Sequence, residues 1–205
     1  ALKFWMFARQ PFFDCNDGRY LLWSELAYRY YFAEKAARGE PLGDVDVRAQ
    51  YPEGVRIEED LAPWVDLAVG GLYRRLGLAG LLPFHLFLVG FTFAFSALSL
   101  IAVYAAGRAL WSDGRAGLLA VLLYGLSRDA MVRSAQCGYL REDYALVFIF
   151  LAFALYLCSA RRFRWPAAIG AGLATFGALA VWHMSSFCLI IIFAAAGLET
   201  LAVGE

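Results

Sequence analysis

Residues 84–107 contain no Asp, Glu, Lys or Arg, and a run that long and apolar has one comfortable environment. At about 1.5 Å rise per residue these 24 residues cross a hydrocarbon core of roughly 30 Å with some tilt. A lipid-immersed backbone must satisfy its own N–H and C=O groups, so the run is expected to be a helix. The whole chain points the same way. At 61% hydrophobic and 18% charged residues over 205 positions, it lies outside the range of a water-soluble domain.

Further spans follow from the same test. Residues 116–127 are short alone but become a crossing if continued to Arg133, with Arg128 and Asp129 at an interface. Residues 144–160 form another uncharged run, closed by Arg161, Arg162 and Arg164. The 34 uncharged residues 165–198 would make one helix of about 51 Å, too long for one crossing, so they should break at the polar island Trp182, His183, Met184, Ser185, Ser186. The pattern predicts an all-α polytopic membrane protein. Its spans lie near 84–107, 115–133, 144–160, 166–182 and 186–203, and residues 1–82 form a large first external loop with amphipathic helices. Residues 1–8 read as the tail of a preceding span, and the chain as an amino-terminal fragment.

Charge is distributed unevenly. Residues 1–82 hold 12 of the 18 acids and 10 of the 18 bases, and nowhere is there the basic field that a nucleic-acid partner requires. With alternating crossings, the loop of Arg108 and Arg115 and the loop of Arg161, Arg162 and Arg164 fall on one face, which the positive-inside rule makes cytoplasmic. Residues 1–82, the 134–143 loop and the 183–186 turn then share the non-cytoplasmic side, with a bacterial plasma membrane as the expected setting. The four cysteines lack any CxxC spacing, so zinc is not expected. Cys158 and Cys188 read as small hydrophobes, and a Cys15–Cys137 disulfide is left open.

Within the first loop, Asp14, Cys15, Asn16, Asp17 and Gly18 precede a helical stretch to Arg38, capped by Asn16 or Asp17 and stopped by Gly39 and Pro41. Its aromatic face is Tyr20, Trp23, Ala27, Tyr30 and Tyr31. The acids of residues 43–66 read mostly as solvated loop charge, and residues 63–76 as a short amphipathic helix carrying Arg74 and Arg75.

Four motifs in order carry a resemblance: Asn16, Asp17, Gly18 before an aromatic helix; the turn Tyr51, Pro52, Glu53, Gly54; Gly138, Tyr139, Leu140, Arg141, Glu142, Asp143; and Trp182 with its polar turn. Over about residues 9–190 the chain resembles the catalytic subunit of oligosaccharyltransferase, a GT-C membrane glycosyltransferase. The resemblance implies a GT-C-like helical bundle and a polyprenyl-linked saccharide donor. It implies Asn of an acceptor protein, other membrane subunits as partners, and Mg²⁺ or Mn²⁺ held by Asp17 and Asp143. It makes Asp17, Asp143 and Glu142 the catalytic candidates. Arg141 replaces an acid that binds metal in that family, and is a candidate donor to the lipid phosphate as a bidentate guanidinium.

Read without the resemblance, Asp17 is a helix cap, Glu142 and Asp143 are acids favoured at a helix start, and Arg128, Asp129 and Arg133 form an ion pair with a snorkelling partner. His183 bonds a carbonyl or water, and His85 is interfacial. The expected activity is transfer of a saccharide from a polyprenyl-linked phosphate or pyrophosphate donor to an acceptor. The alternatives are a single-sugar GT-C transferase using a polyprenyl phosphate sugar, and a non-catalytic membrane subunit that keeps the fold.

Overall fold

A computed structural model of the 205-residue chain describes residues 9, 16–18, 24–47, 52–57, 63–127, 139–161 and 164–203. The elements among them are α1 (Ser24–Arg38), β1 (Val45–Asp46), β2 (Val55–Arg56), α2 (Trp64–Arg75), α3 (Phe84–Trp111), α4 (Gly114–Leu126), α5 (Arg141–Arg161), α6 (Trp165–Val181) and α7 (Ser185–Val203). The protein is an all-α membrane protein apart from the two-residue strands, which pair antiparallel with Val45 opposite Arg56.

Helix ends depart from the uncharged runs for physical reasons. α3 continues four residues beyond 107, since the aliphatic stem of Arg108 lets its charge reach water from within the last turn. α5 begins at Arg141, ahead of the uncharged run, because Glu142 and Asp143 occupy a first turn where the helix dipole favours acids. α4 closes at Leu126, with the Ser127 N–H donating to the Tyr124 carbonyl at 3.2 Å; residues 128–133, expected to extend it, lie outside the described residues. The break between α6 and α7 falls at the expected polar island. There the Trp182 N–H donates to the Ala178 carbonyl and the Ser185 N–H to the Trp182 carbonyl, each at 3.0 Å.

Among the described residues, α3 and α5 are long and apolar enough to cross a membrane, and α4, α6 and Ser185–Ala194 are shorter apolar helices. Their outward surfaces are oily: Leu118 and Leu123 on α4 are each 64% exposed, and Phe176 on α6 is 72% exposed. Such a surface is costly against water and natural against acyl chains.

Two compact units divide the chain, residues 1–93 with 133–140, and residues 94–132 with 141–205. In the first, α1 and α2 approach backbone to backbone. A Cβ on Gly70 would lie 2.2 Å from the Ala33 carbonyl oxygen and 2.7 Å from the Ala36 Cβ, so only glycine permits that crossing. The buried side of α1 is Leu26, Arg29, Tyr30, Phe32 and Ala33; of the expected aromatic face Tyr30 is buried, Ala27 and Tyr31 are half-buried, and Tyr20 and Trp23 lie outside the described residues. The acids of the loop are likewise not all solvated: Asp46 is 7% exposed beside the β pairing, and Asp66 is 1% exposed because it meets Arg29. α1 stops where expected, with Gly39 at φ +73° and the Glu40 N–H donating back to the Lys35 carbonyl at 2.9 Å.

In the second unit, small residues set the packing, as membrane helices require when lipid offers no hydrophobic gradient. A Cβ on Gly107 would lie 2.9 Å from the Ala120 Cβ, and one on Gly117 would lie 2.8 Å from the Tyr104 ring, so α3 and α4 form a tight hairpin. Ala145 and Ile149 of α5, Ala178 of α6 and Leu189 of α7 form a core, with Val181 and Trp182 packed on it.

Candidate functional site

The sequence candidates fall into two groups, one in each unit. In the first, Asp17 sits partly buried in a turn between Asn16 and Gly18. A Cβ on Gly18 would lie 3.1 Å from the His85 Cβ and 3.5 Å from the Tyr30 hydroxyl, so this turn rests on the first turn of α3 and on α1. His85 is buried at 8% exposure, so at the start of α3 it packs inside the protein. Its place at the second residue of an apolar helix was the available signal, since a titratable group there can cap a site as readily as face headgroups.

Tyr30 donates its hydroxyl to Glu34 Oε1 at 3.4 Å, and Arg38 Nη2 donates to the same oxygen at 2.9 Å. Burial first, and the Glu34 carboxylate next, push the Tyr30 phenol up to about 12. It is therefore a neutral donor throughout the physiological range. Its ring lies 5.7 Å from Phe84, centroid to centroid, which ties α1 to the start of α3.

In the second unit, the first turn of α5 presents Arg141 and Glu142 half-buried and Asp143 at 8% exposure. Tyr144, at 1% exposure, fixes this turn by meeting Phe95 edge-on at 5.0 Å. One residue further, Ala145 joins the core on which Val181 and Trp182 pack, so the α6–α7 turn lies at the same end of the unit as Asp143. Ser185 in that turn is fully buried, and its hydroxyl has no hydrogen-bond partner among the described residues. Ser186 Oγ donates to the His183 carbonyl at 2.8 Å. One end of the unit thus collects a guanidinium, two carboxylates and a buried hydroxyl. Sequence reading placed Ser185 in the polar island but could not show its burial, because a serine in a polar turn is ordinarily solvated.

Among the described residues no three His, Cys, Asp or Glu side chains gather as metal ligands. Glu142 and Asp143 are consecutive, so they leave the helix about 100° apart and do not chelate as a pair. Cys158 is an exposed free thiol and Cys188 a half-buried one. Cys15, Cys137, Tyr51, Arg128, Asp129, Arg133 and Arg162 lie outside the described residues, and with them the disulfide, turn and ion-pair expectations.

A family model, Dpy19, described as Q-cell neuroblast polarisation, matches residues 46–201. The family is one of GT-C-like membrane glycosyltransferases. Arg141, Glu142, Asp143 and Trp182 lie inside the matched stretch, and Asp17 precedes it. Neither the curated proteins nor the solved structures include a match to this chain.

Proposed function

The chain belongs to the Dpy19 family, and from that membership we propose that it carries out transfer of a single sugar from a polyprenyl phosphate carrier to an acceptor at the membrane surface. A mannosyl group and a carbon acceptor atom are the finer form, the family being one of C-mannosyltransferases. One observation carries the reading to named residues: Arg141, Glu142 and Asp143 form the first turn of a helix long and apolar enough to span a membrane, with Asp143 buried.

In such a transfer the bond from the sugar's anomeric carbon to the phosphate oxygen breaks, and the phosphate leaves with the electron pair. A bond forms from that carbon to the acceptor, which gives up a proton. Arg141 is suited to the growing phosphate charge because a guanidinium stays cationic and offers a planar fork of N–H donors. Glu142, Asp143 and Asp17 are the carboxylates assigned to orient the acceptor and take its proton. The Mg²⁺ or Mn²⁺ expected from the resemblance would be held by Asp17 and Asp143. The described donors do not cluster as its ligands, so no step is routed through an ion.

Transfer of a preassembled saccharide to Asn, the other reading, needs the acid that Arg141 replaces, and the single-sugar reading does not. The test is a transfer assay in membranes holding the full-length protein, with labelled polyprenyl phosphate sugar and a protein acceptor. Loss of transfer in Asp143→Asn and Arg141→Ala, with unchanged abundance, supports the assignment. Full activity in both variants would remove Arg141 and Asp143 from the site, and no transfer by the parent would leave a non-catalytic subunit that keeps the fold.

A further inference from the structure

A cavity of about 500 Å³ lies at the other end of α5 from Asp143, where the last turns of α3 and α5 meet. Eighteen residues of helix separate Asp143 from Arg161, roughly 27 Å, about one hydrocarbon thickness. Its polar lining is Tyr104, Arg108, Ser112, Cys158 and Arg161, and its apolar wall is Ala105 and Ala109. Arg161 donates through Nη1 to Ser112 Oγ and through Nη2 to the Leu110 carbonyl at 2.6 Å. Both acceptors are neutral, so they hold the guanidinium in place without cancelling its charge. Arg108 makes no hydrogen bond or ion pair among the described residues. Two uncompensated cations therefore face one cavity.

The surroundings fix its depth. Trp111, the last residue of α3, and Trp165, the first of α6, are 63% and 69% exposed beside these arginines, as expected of indoles at the headgroup layer. Two exposed cations lining one cavity suit a shared anion, and at this depth the abundant anion is a lipid phosphate. Arg108 and Arg161 are exposed, as Arg115 and Arg164 are, but of these four only Arg108 and Arg161 line the cavity.

We propose that this cavity binds the phosphate of an anionic phospholipid in the adjacent leaflet, with Arg108 and Arg161 as the phosphate ligands and the Ala105–Ala109 face against the acyl chain. The site lies about a membrane thickness along α5 from Asp143 and does not rest on the proposed transfer.

The test is native mass spectrometry of the full-length protein titrated with phosphatidylglycerol, phosphatidylcholine or inorganic phosphate. The expected result is a phosphatidylglycerol adduct that Arg108→Gln weakens about fivefold, the worth of one interfacial charge, and Arg108→Gln with Arg161→Gln weakens further. Among the described residues Arg108→Gln breaks no hydrogen bond or ion pair, so it reports even if the double variant misfolds. The charge-matched Arg115→Gln with Arg164→Gln should leave the adduct intact. Equal weakening by that control, equal retention of phosphatidylcholine, or displacement by millimolar inorganic phosphate would each overturn the lipid assignment.

Discussion

Arg29 and Asp66 are 37 residues apart in sequence and meet as a fork in the heart of the α1–α2 pair: Nη1 lies 3.5 Å from Oδ1 and Nη2 lies 3.3 Å from Oδ2. Both side chains are almost fully withdrawn from solvent, at 2% and 1% exposure. Desolvation offsets much of their attraction, so the pair adds little net stability, yet each partner is intolerable without the other. Asp66→Ala is expected to cost about 3–5 kcal/mol in thermal or denaturant unfolding of the purified protein. The double change Arg29→Met with Asp66→Leu should recover most of that loss. A single variant as stable as the parent would show that water reaches the pair.

Gly70 carries a second prediction for the same crossing. Alanine there places a Cβ 2.2 Å from a backbone oxygen of α1, which no rotamer can relieve. Gly70→Ala should destabilise by about 1–3 kcal/mol. Gly71→Ala, whose Cβ would meet nothing within 4 Å, should be neutral or slightly stabilising through helix propensity. Unfolding of the two variants side by side checks the contrast, and equal behaviour would mean that α1 and α2 are not held this close.

Tyr30 gives a pH signature. Ultraviolet titration of the parent minus Tyr30→Phe should isolate one phenol ionising near 12 rather than the ordinary 10. A phenol held above its unfolded value supports the fold fully below about pH 10 and loses that support as pH climbs toward 12. Tyr30→Phe should accordingly flatten the fall in stability across that window. A difference spectrum centred at 10 would place the hydroxyl in water.

For the proposed transfer, Arg141→Ala should lower turnover by about 10²–10³ if its guanidinium meets the leaving phosphate, the usual effect of deleting one preorganised donor to developing charge. Arg141→Lys should recover only part of this, because an ammonium lacks the fork. Added chelator tests the divalent ion assigned to Asp17 and Asp143, and unchanged turnover would remove the ion from the reaction. Inactivation by EDTA with rescue by Mn²⁺ would return the divalent ion to Asp17 and Asp143.

α3 and α5 were legible because their signal is one-dimensional: an absence of charge over a length that the bilayer fixes. The stop of α1 at Gly39 and the break at 182–184 were legible for a similar local reason, since a positive φ and a polar island each announce themselves in a few residues. What escaped depends on partners distant in sequence. Asp66 looked like one solvated acid among seven between residues 43 and 66 until Arg29 was placed against it. The burial of His85 needed the turn at Gly18 placed against it. The two-residue pairing of Val45–Asp46 with Val55–Arg56 is too short for any periodicity to register.

The clasp from Arg161 to Ser112 and the Leu110 carbonyl bears on how this protein can be handled. Ser112 holds a left-handed backbone at φ 57° between two helices, and at that spot the chain looks like an ordinary polar hairpin inviting a reporter fusion. A tag inserted there would pull the turn from the end of α5 and scatter the cationic pair. Epitope mapping of sidedness is better done beyond α7, and a fluorophore on the exposed Cys158 would sense what enters the cavity rather than which side it faces.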